Sequence, residues 1–206
     1  MIDSKVIKYV TYNCNGFKSN SPYIIQLTKQ FDCIFINKTW ITEAEKYLVT
    51  DTFSNRFISI FTPAKQNSHG RPYGGNILFL KKKYFDSINI IAQEDFVTSI
   101  TANCNNSSLL ISGVYLQSLS SKEHCVDIYR SQLNNISGTL ERFCNVTEFI
   151  IMGDFQCFPT QQTRTCSTNL LSKHLARFIS ETILHHPWKR PCPHISPSNN
   201  AKQILH

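Results

Sequence analysis

The sequence predicts a single α/β domain, and three stretches carry that prediction. Phe149-Ile150-Ile151-Met152 is a continuous apolar run that ends abruptly at Gly153-Asp154, the pattern of a buried strand with one carboxylate at its end. Residues 6–36 read as strand, helix, strand, the size of a βαβ unit. From Arg56 to Tyr115 the helical period disappears, and short β-branched segments recur at hairpin spacing.

Taken in order, Val6–Tyr12 is rich in β-branched and aromatic residues and is closed by the turn formers Asn13-Cys14-Asn15-Gly16. Ser21-Pro22 offers an N-cap and a first-turn proline, so a short helix is expected to follow, with Ile24, Ile25, Leu27 and Phe31 on its buried face. Cys33–Ile36 is the next strand and stops at Asn37-Lys38-Thr39-Trp40. Arg56–Phe61, Asn76–Leu80, Ile88–Ile91, Phe96–Ala102 and Leu109–Tyr115 are strand candidates expected to form antiparallel sheet. His69–Gly75 between the first two is too rich in glycine for regular structure.

Tyr129, Leu133, Ile136, Leu140 and Phe143 repeat at helical spacing and lead into the Phe149–Met152 strand, which should lie buried on both faces, with Gly153 turning the backbone so that Asp154 emerges. Leu171, Leu175, Phe178, Ile179 and Ile183 mark a second amphipathic helix, and residues 185–206 are punctuated by proline. With no repeat, no low-complexity tract and no linker, residues 1–206 read as one domain.

Composition excludes several classes. A chain that is 41% hydrophobic and 17% charged is globular, not disordered. No stretch approaches the ~20 apolar residues of a membrane span, and the first thirty residues lack a signal-peptide core, so an intracellular, non-secreted protein without membrane partners is expected. The eight cysteines are scattered without a CxxC pair, which favours reduced, buried thiols. A net charge of +7 suits a polyanionic partner, and Lys81-Lys82-Lys83 with Lys5, Lys8, Lys18 and Arg71 are candidates for a basic rim. His185, His186, Cys192 and His194 lack zinc-site spacing.

Five strand-end motifs stand in a fixed order: Tyr12-Asn13-Cys14-Asn15-Gly16-Phe17, Phe35-Ile36-Asn37-Lys38-Thr39-Trp40, Gly70-Arg71-Pro72-Tyr73-Gly74-Gly75, Gly113-Val114-Tyr115-Leu116, and Ile150-Ile151-Met152-Gly153-Asp154-Phe155-Gln156-Cys157. In that order they resemble the endonuclease/exonuclease/phosphatase superfamily, and within it the AP-endonuclease-like domain of non-LTR retrotransposon proteins and their craniofacial-development-protein-2-like host relatives. The resemblance covers about residues 5–185. It implies a four-layered α/β sandwich with two mixed β-sheets, and a Mg²⁺-dependent DNA phosphodiesterase site at one edge.

The resemblance also implies roles. Asn13 corresponds to a residue that orients the metal, Tyr115 to one that steadies the scissile phosphate, and Asp154 with Gln156 to the pair that activates water and stabilises developing charge. Asn15, Arg71, Tyr73 and Gly74 fall where substrate is bound. A phosphodiester is anionic, so its hydrolysis needs charge neutralisation and a proton acceptor, which such groups provide.

Three departures argue against turnover. The family's metal-binding Glu falls on Lys38, and an ammonium about 4 Å from a divalent ion is repelled by roughly 8 kcal/mol at an effective dielectric of about 20. Gln156 replaces the family's Asn with a side chain one methylene longer. No Ser-Asp-His motif occurs before His206, so a C-terminally truncated domain with an exposed sheet edge and a tendency to self-associate is expected. The expectation is therefore an impaired or inactive endonuclease, with a non-catalytic DNA- or protein-binding module as the alternative.

Overall fold

The computed structural model of the chain describes residues 6–66, 68–104, 107–116, 125–143, 145–156 and 173–180. They fall into two compact units, the first comprising the chain up to Tyr115 with Val146–Asp154, the second Leu116–Asn145 with the residues after Asp154. Residues 181–206, with His185, His186, Cys192, His194 and the proline-punctuated tail, lie outside the described residues.

The first unit holds two mixed sheets, so the α/β class with two mixed β-sheets is what the chain adopts. In the first sheet, β1 (Tyr9–Asn13), β2 (Cys33–Asn37), β3 (Phe57–Thr62) and β4 (Asn76–Lys81) lie in the order β1-β2-β4-β3. β1 and β2 are parallel, and β4 runs antiparallel to both β2 and β3. In the second, β5 (Asp86–Gln93), β6 (Val97–Cys104) and β7 (Ser107–Tyr115) form an antiparallel meander to which β8 (Glu148–Asp154) adds in parallel.

Alternation along each strand sorts the core into two clusters. Ile34 and Ile36 of β2, Ile77 and Phe79 of β4, and Phe57 and Phe61 of β3 face the helices α1 (Phe17–Gln30) and α2 (Tyr47–Phe53), meeting Phe17, Ile24, Leu27, Val49 and Phe53. Cys33, Phe35, Ile60, Leu78 and Leu80 face the other way, against Ile100, Ala102, Cys104, Leu109, Ile111 and Met152 of the second sheet. Each such side chain taken wholly out of water stabilises the fold by about 1.5–3 kcal/mol before entropy is counted. The two sheets meet so closely that a Cβ on Gly113 of β7 would lie 2.2 Å from the ring of Phe35, which is why that strand carries no side chain there.

Several expectations need correction. The first helix starts at Phe17 and encloses Pro22, because Gly16 and Phe17 give their N–H groups to the carbonyls of Lys38 and Thr39, and the Asn20 amide bonds the carbonyls of Cys14 and Gly16. These contacts start the helix upstream of the proline. Gly153 is a strand residue and not a turn: it pairs with Val114 at φ 147, and a Cβ there would come within 1.8 Å of the Val114 carbonyl oxygen. The Phe149–Ile151 segment is only half buried, since β8 has a strand on one side alone among the described residues. The strands between Arg56 and Tyr115 divide between two sheets, and the 3₁₀ turn Glu43–Glu45 with α2 precedes them.

In the second unit, α3 (Cys125–Arg142) buries Tyr129, Leu133, Ile136 and Leu140 at the expected spacing, and the Tyr129 hydroxyl donates to the Phe155 carbonyl at 3.0 Å. Residues 173–180 are helical and bury Leu175 and Phe178. No described helix is long and apolar enough to cross a membrane. Cys14, Cys33 and Cys104 are free and buried, as expected of reduced thiols.

Candidate functional site

The face that each apolar strand turns toward the opposing sheet ends in a polar residue. Period-2 alternation carries the line from Tyr9 to Asn13 on β1, from Cys33 through Phe35 to Asn37 on β2, and from Leu80 back through Leu78 to Asn76 on β4. Across the gap it runs from Ile111 and Gly113 to Tyr115 on β7, and from Met152 to Asp154 on β8. Register aligns Asn13 with Asn37 and Asn37 with Asn76 in one sheet, and Tyr115 with Asp154 in the other.

The two rows meet where the Asn13 Nδ2 donates to Asp154 Oδ2 at 2.9 Å. Lys38, one residue beyond β2, lays its Nζ 5.3 Å from the centre of the Tyr115 ring. Asn13, Lys38, Tyr115 and Asp154 therefore share one mouth. Burial, and after it the Asp154 charge, holds the Tyr115 phenol above its ordinary pKa of 10.0, so it stays protonated as a hydrogen-bond donor across the physiological range.

The floor of this mouth was not singled out in the sequence. Asn37 is 0% exposed with neither amide atom hydrogen-bonded, and the Oδ1 atoms of Asn13 and Asn76 are likewise buried and unpaired, while Asn76 Nδ2 donates to the Asp95 carbonyl at 2.8 Å. An unsatisfied buried amide costs about 1–3 kcal/mol, so a line of them is tolerated only where something other than stability sets the residue type. The legible signal was polar residues closing the inward face of apolar strands.

The loops around the mouth are held rigidly. Lys38 and Trp40 have left-handed backbones at φ 53 and φ 56, and the exposed Asn15 sits at φ 44. Three such non-glycine residues in one place are a concentration of strain of the kind functional sites store. The Lys38 carbonyl accepts from Gly16 N at 2.9 Å and Cys14 Sγ at 3.4 Å, and the Thr39 and Trp40 N–H groups bond the carbonyls of Gly75 and Gly74. The glycine-rich loop is thus tied to the end of β2. Arg71 stacks its guanidinium 4.0 Å above the Trp40 ring, and Tyr73, half exposed, pairs its backbone with Lys65.

Gln156 has a left-handed backbone at φ 57 and belongs to the second unit. The basic rim does not form as one patch: Lys18 pairs with Glu45, and Lys81 lies at the end of β4 opposite Asn76, ion-paired to buried Asp32 at 2.9 Å. Five residues of strand, about 17 Å, separate the two ends of β4.

The donor set does not fit a divalent cation. Magnesium requires oxygen ligands, carboxylates foremost, yet the mouth joins the Asp154 carboxylate to the Asn13 amide and brings the ammonium of Lys38 to 5.3 Å from the centre of the Tyr115 ring. No group of three or more His, Cys, Asp or Glu side chains converges among the described residues.

No protein-family model matches the sequence, and no curated protein does. Solved structures do match in shape. An AP endonuclease from Leishmania major superimposes with a TM-score of 0.67 at 15% identity, over 88% of this chain and 68% of that one. An AP endonuclease from Archaeoglobus fulgidus gives 0.58 at 15% identity, over 84% and 70%. A 3′ phosphatase from Neisseria bound to a product DNA hairpin gives 0.59 at 10% identity, over 84% and 71%. The chain has the fold of the endonuclease/exonuclease/phosphatase proteins.

Proposed function

We propose that this chain engages the phosphodiester backbone of DNA at the mouth formed by Asn13, Lys38, Tyr115 and Asp154, as an endonuclease-type domain whose hydrolytic step is impaired. One observation carries the reading: the Asn13–Asp154 hydrogen bond brings the polar ends of both sheets together beside a protonated Tyr115 and the Lys38 ammonium. Asp154 is the group that would accept a proton from water, and Tyr115 donates to a phosphate oxygen. Arg71 on Trp40, with Asn15, Tyr73 and Gly74 around it, forms the flank along which the DNA backbone continues. The order of the strand-end motifs supports the finer reading, a domain of the non-LTR retrotransposon type. Lys38 in place of a metal-binding carboxylate favours binding over turnover.

Supercoiled plasmid incubated with the protein and Mg²⁺ tests this. Wild type is expected to retard the plasmid on a native gel while nicking it feebly, and Asp154→Ala to remove the residual nicking while keeping the retardation. Absence of both retardation and nicking overturns the reading.

A further inference from the structure

Of the ten described lysines, four are neutralised by a carboxylate and Lys38 is not. Lys18, Lys46, Lys65 and Lys81 each form an ion pair with a carboxylate. Lys38 forms no ion pair with any described carboxylate, although it stands at the one place where the ends of both sheets converge. Its stem is half buried and its ammonium rests on the Tyr115 ring, a contact that fixes the charge without cancelling it.

The backbone is built to hold it there. A left-handed lysine is unfavourable unless its surroundings impose it, and here the Lys38 carbonyl is clamped by Gly16 N and Cys14 Sγ while Thr39 N bonds Gly75. A solvated surface lysine has no use for three such restraints. Asp154, meanwhile, has an oxygen occupied by the Asn13 amide, so at the strand ends the unpaired Lys38 ammonium stands near a hydrogen-bonded carboxylate.

We propose that the Lys38 ammonium is the resident cation of this mouth, so that a DNA phosphodiester is held between Lys38 and the Tyr115 hydroxyl without any divalent ion. This rests on the DNA-binding function above and adds its ion requirement. A covalently attached monovalent charge neutralises a phosphate but does not activate water as a bound metal does, which accounts at once for binding and for feeble hydrolysis.

The test is fluorescence anisotropy of a labelled blunt DNA duplex titrated with wild type, Lys38→Gln and Lys38→Glu, in EDTA and again in Mg²⁺, with circular dichroism to verify folding. Wild-type affinity is expected to be equal within about twofold in the two buffers. Lys38→Gln should bind about tenfold more weakly in both, with the slope of log affinity against log salt reduced by about one. Lys38→Glu should fail to bind in EDTA and recover in Mg²⁺. Wild-type binding that disappears in EDTA, or a folded Lys38→Gln with unaltered affinity and salt slope, overturns this inference alone. Absence of wild-type binding in both buffers overturns the proposed function itself.

Discussion

Asn13 and Asp154 stand 141 positions apart in the chain, yet the amide of one donates to the carboxylate of the other at 2.9 Å, stitching β1 of the first sheet to β8 of the second. A hydrogen bond to a carboxylate is worth about 1.5–3 kcal/mol. Asn13→Ala is therefore expected to lower unfolding free energy by about 2 kcal/mol, and Asn13→Ala with Asp154→Ala to cost about 1 kcal/mol less than the two single changes summed. Urea denaturation of the four proteins of this cycle measures the coupling, and strict additivity counts against a direct bond.

The opposite end of the first sheet is fastened by Asp32. Its carboxylate accepts from the Lys8 N–H at 3.1 Å and pairs with Lys81 at 2.9 Å, and its own backbone bonds Lys8 and Lys81. Removing one partner of a buried pair strands the other, so Asp32→Ala is expected to cost about 3 kcal/mol in denaturant unfolding. Lys81→Met, which removes the more exposed partner, should cost less. Neither change should alter DNA affinity in the folded protein, because both lie a strand's length from the mouth.

Alkaline pH should loosen the same unit. Burial pushes the Cys14 thiol from its ordinary 9.0 up to about 11, and burial also raises Tyr9, Tyr115 and Cys33. A pKa higher in the folded than in the unfolded chain means that the stabilisation is complete below the unfolded value and drains away as pH rises through the folded one. Stability is expected to be flat up to about pH 9 and then to fall toward pH 11, Cys14 alone contributing up to roughly 1.4 kcal/mol per pH unit. Cys14→Ala, measured by urea unfolding at several pH values, should give a shallower fall between pH 9 and 11.

Much of this was legible from residue order. Alternation within Cys33–Ile36 and Asn76–Leu80 shows two apolar faces, and the motifs at the strand ends name Asn13, Lys38, Tyr115 and Asp154, all of which converge. What escaped was set by tertiary contacts. The short link from Lys81 to Phe85 reads as a hairpin, yet it passes the chain from one sheet to the other, and no local pattern separates those outcomes. The helix start at Phe17 depends on carbonyls of Lys38 and Thr39 some twenty residues away. Pairing of Lys18 with Glu45 and of Lys81 with Asp32 neutralises two members of the rim that counting positive charges had suggested.

The aligned asparagines bear on how this mouth could ever be lost. Asn13, Asn37 and Asn76 occupy matching rungs of three neighbouring strands, so slippage of any one strand by a single residue would swing its amide out of the gap and drive an apolar side chain into it. The site accordingly has no private way of melting: it survives intact for as long as both sheets keep their register and vanishes with either.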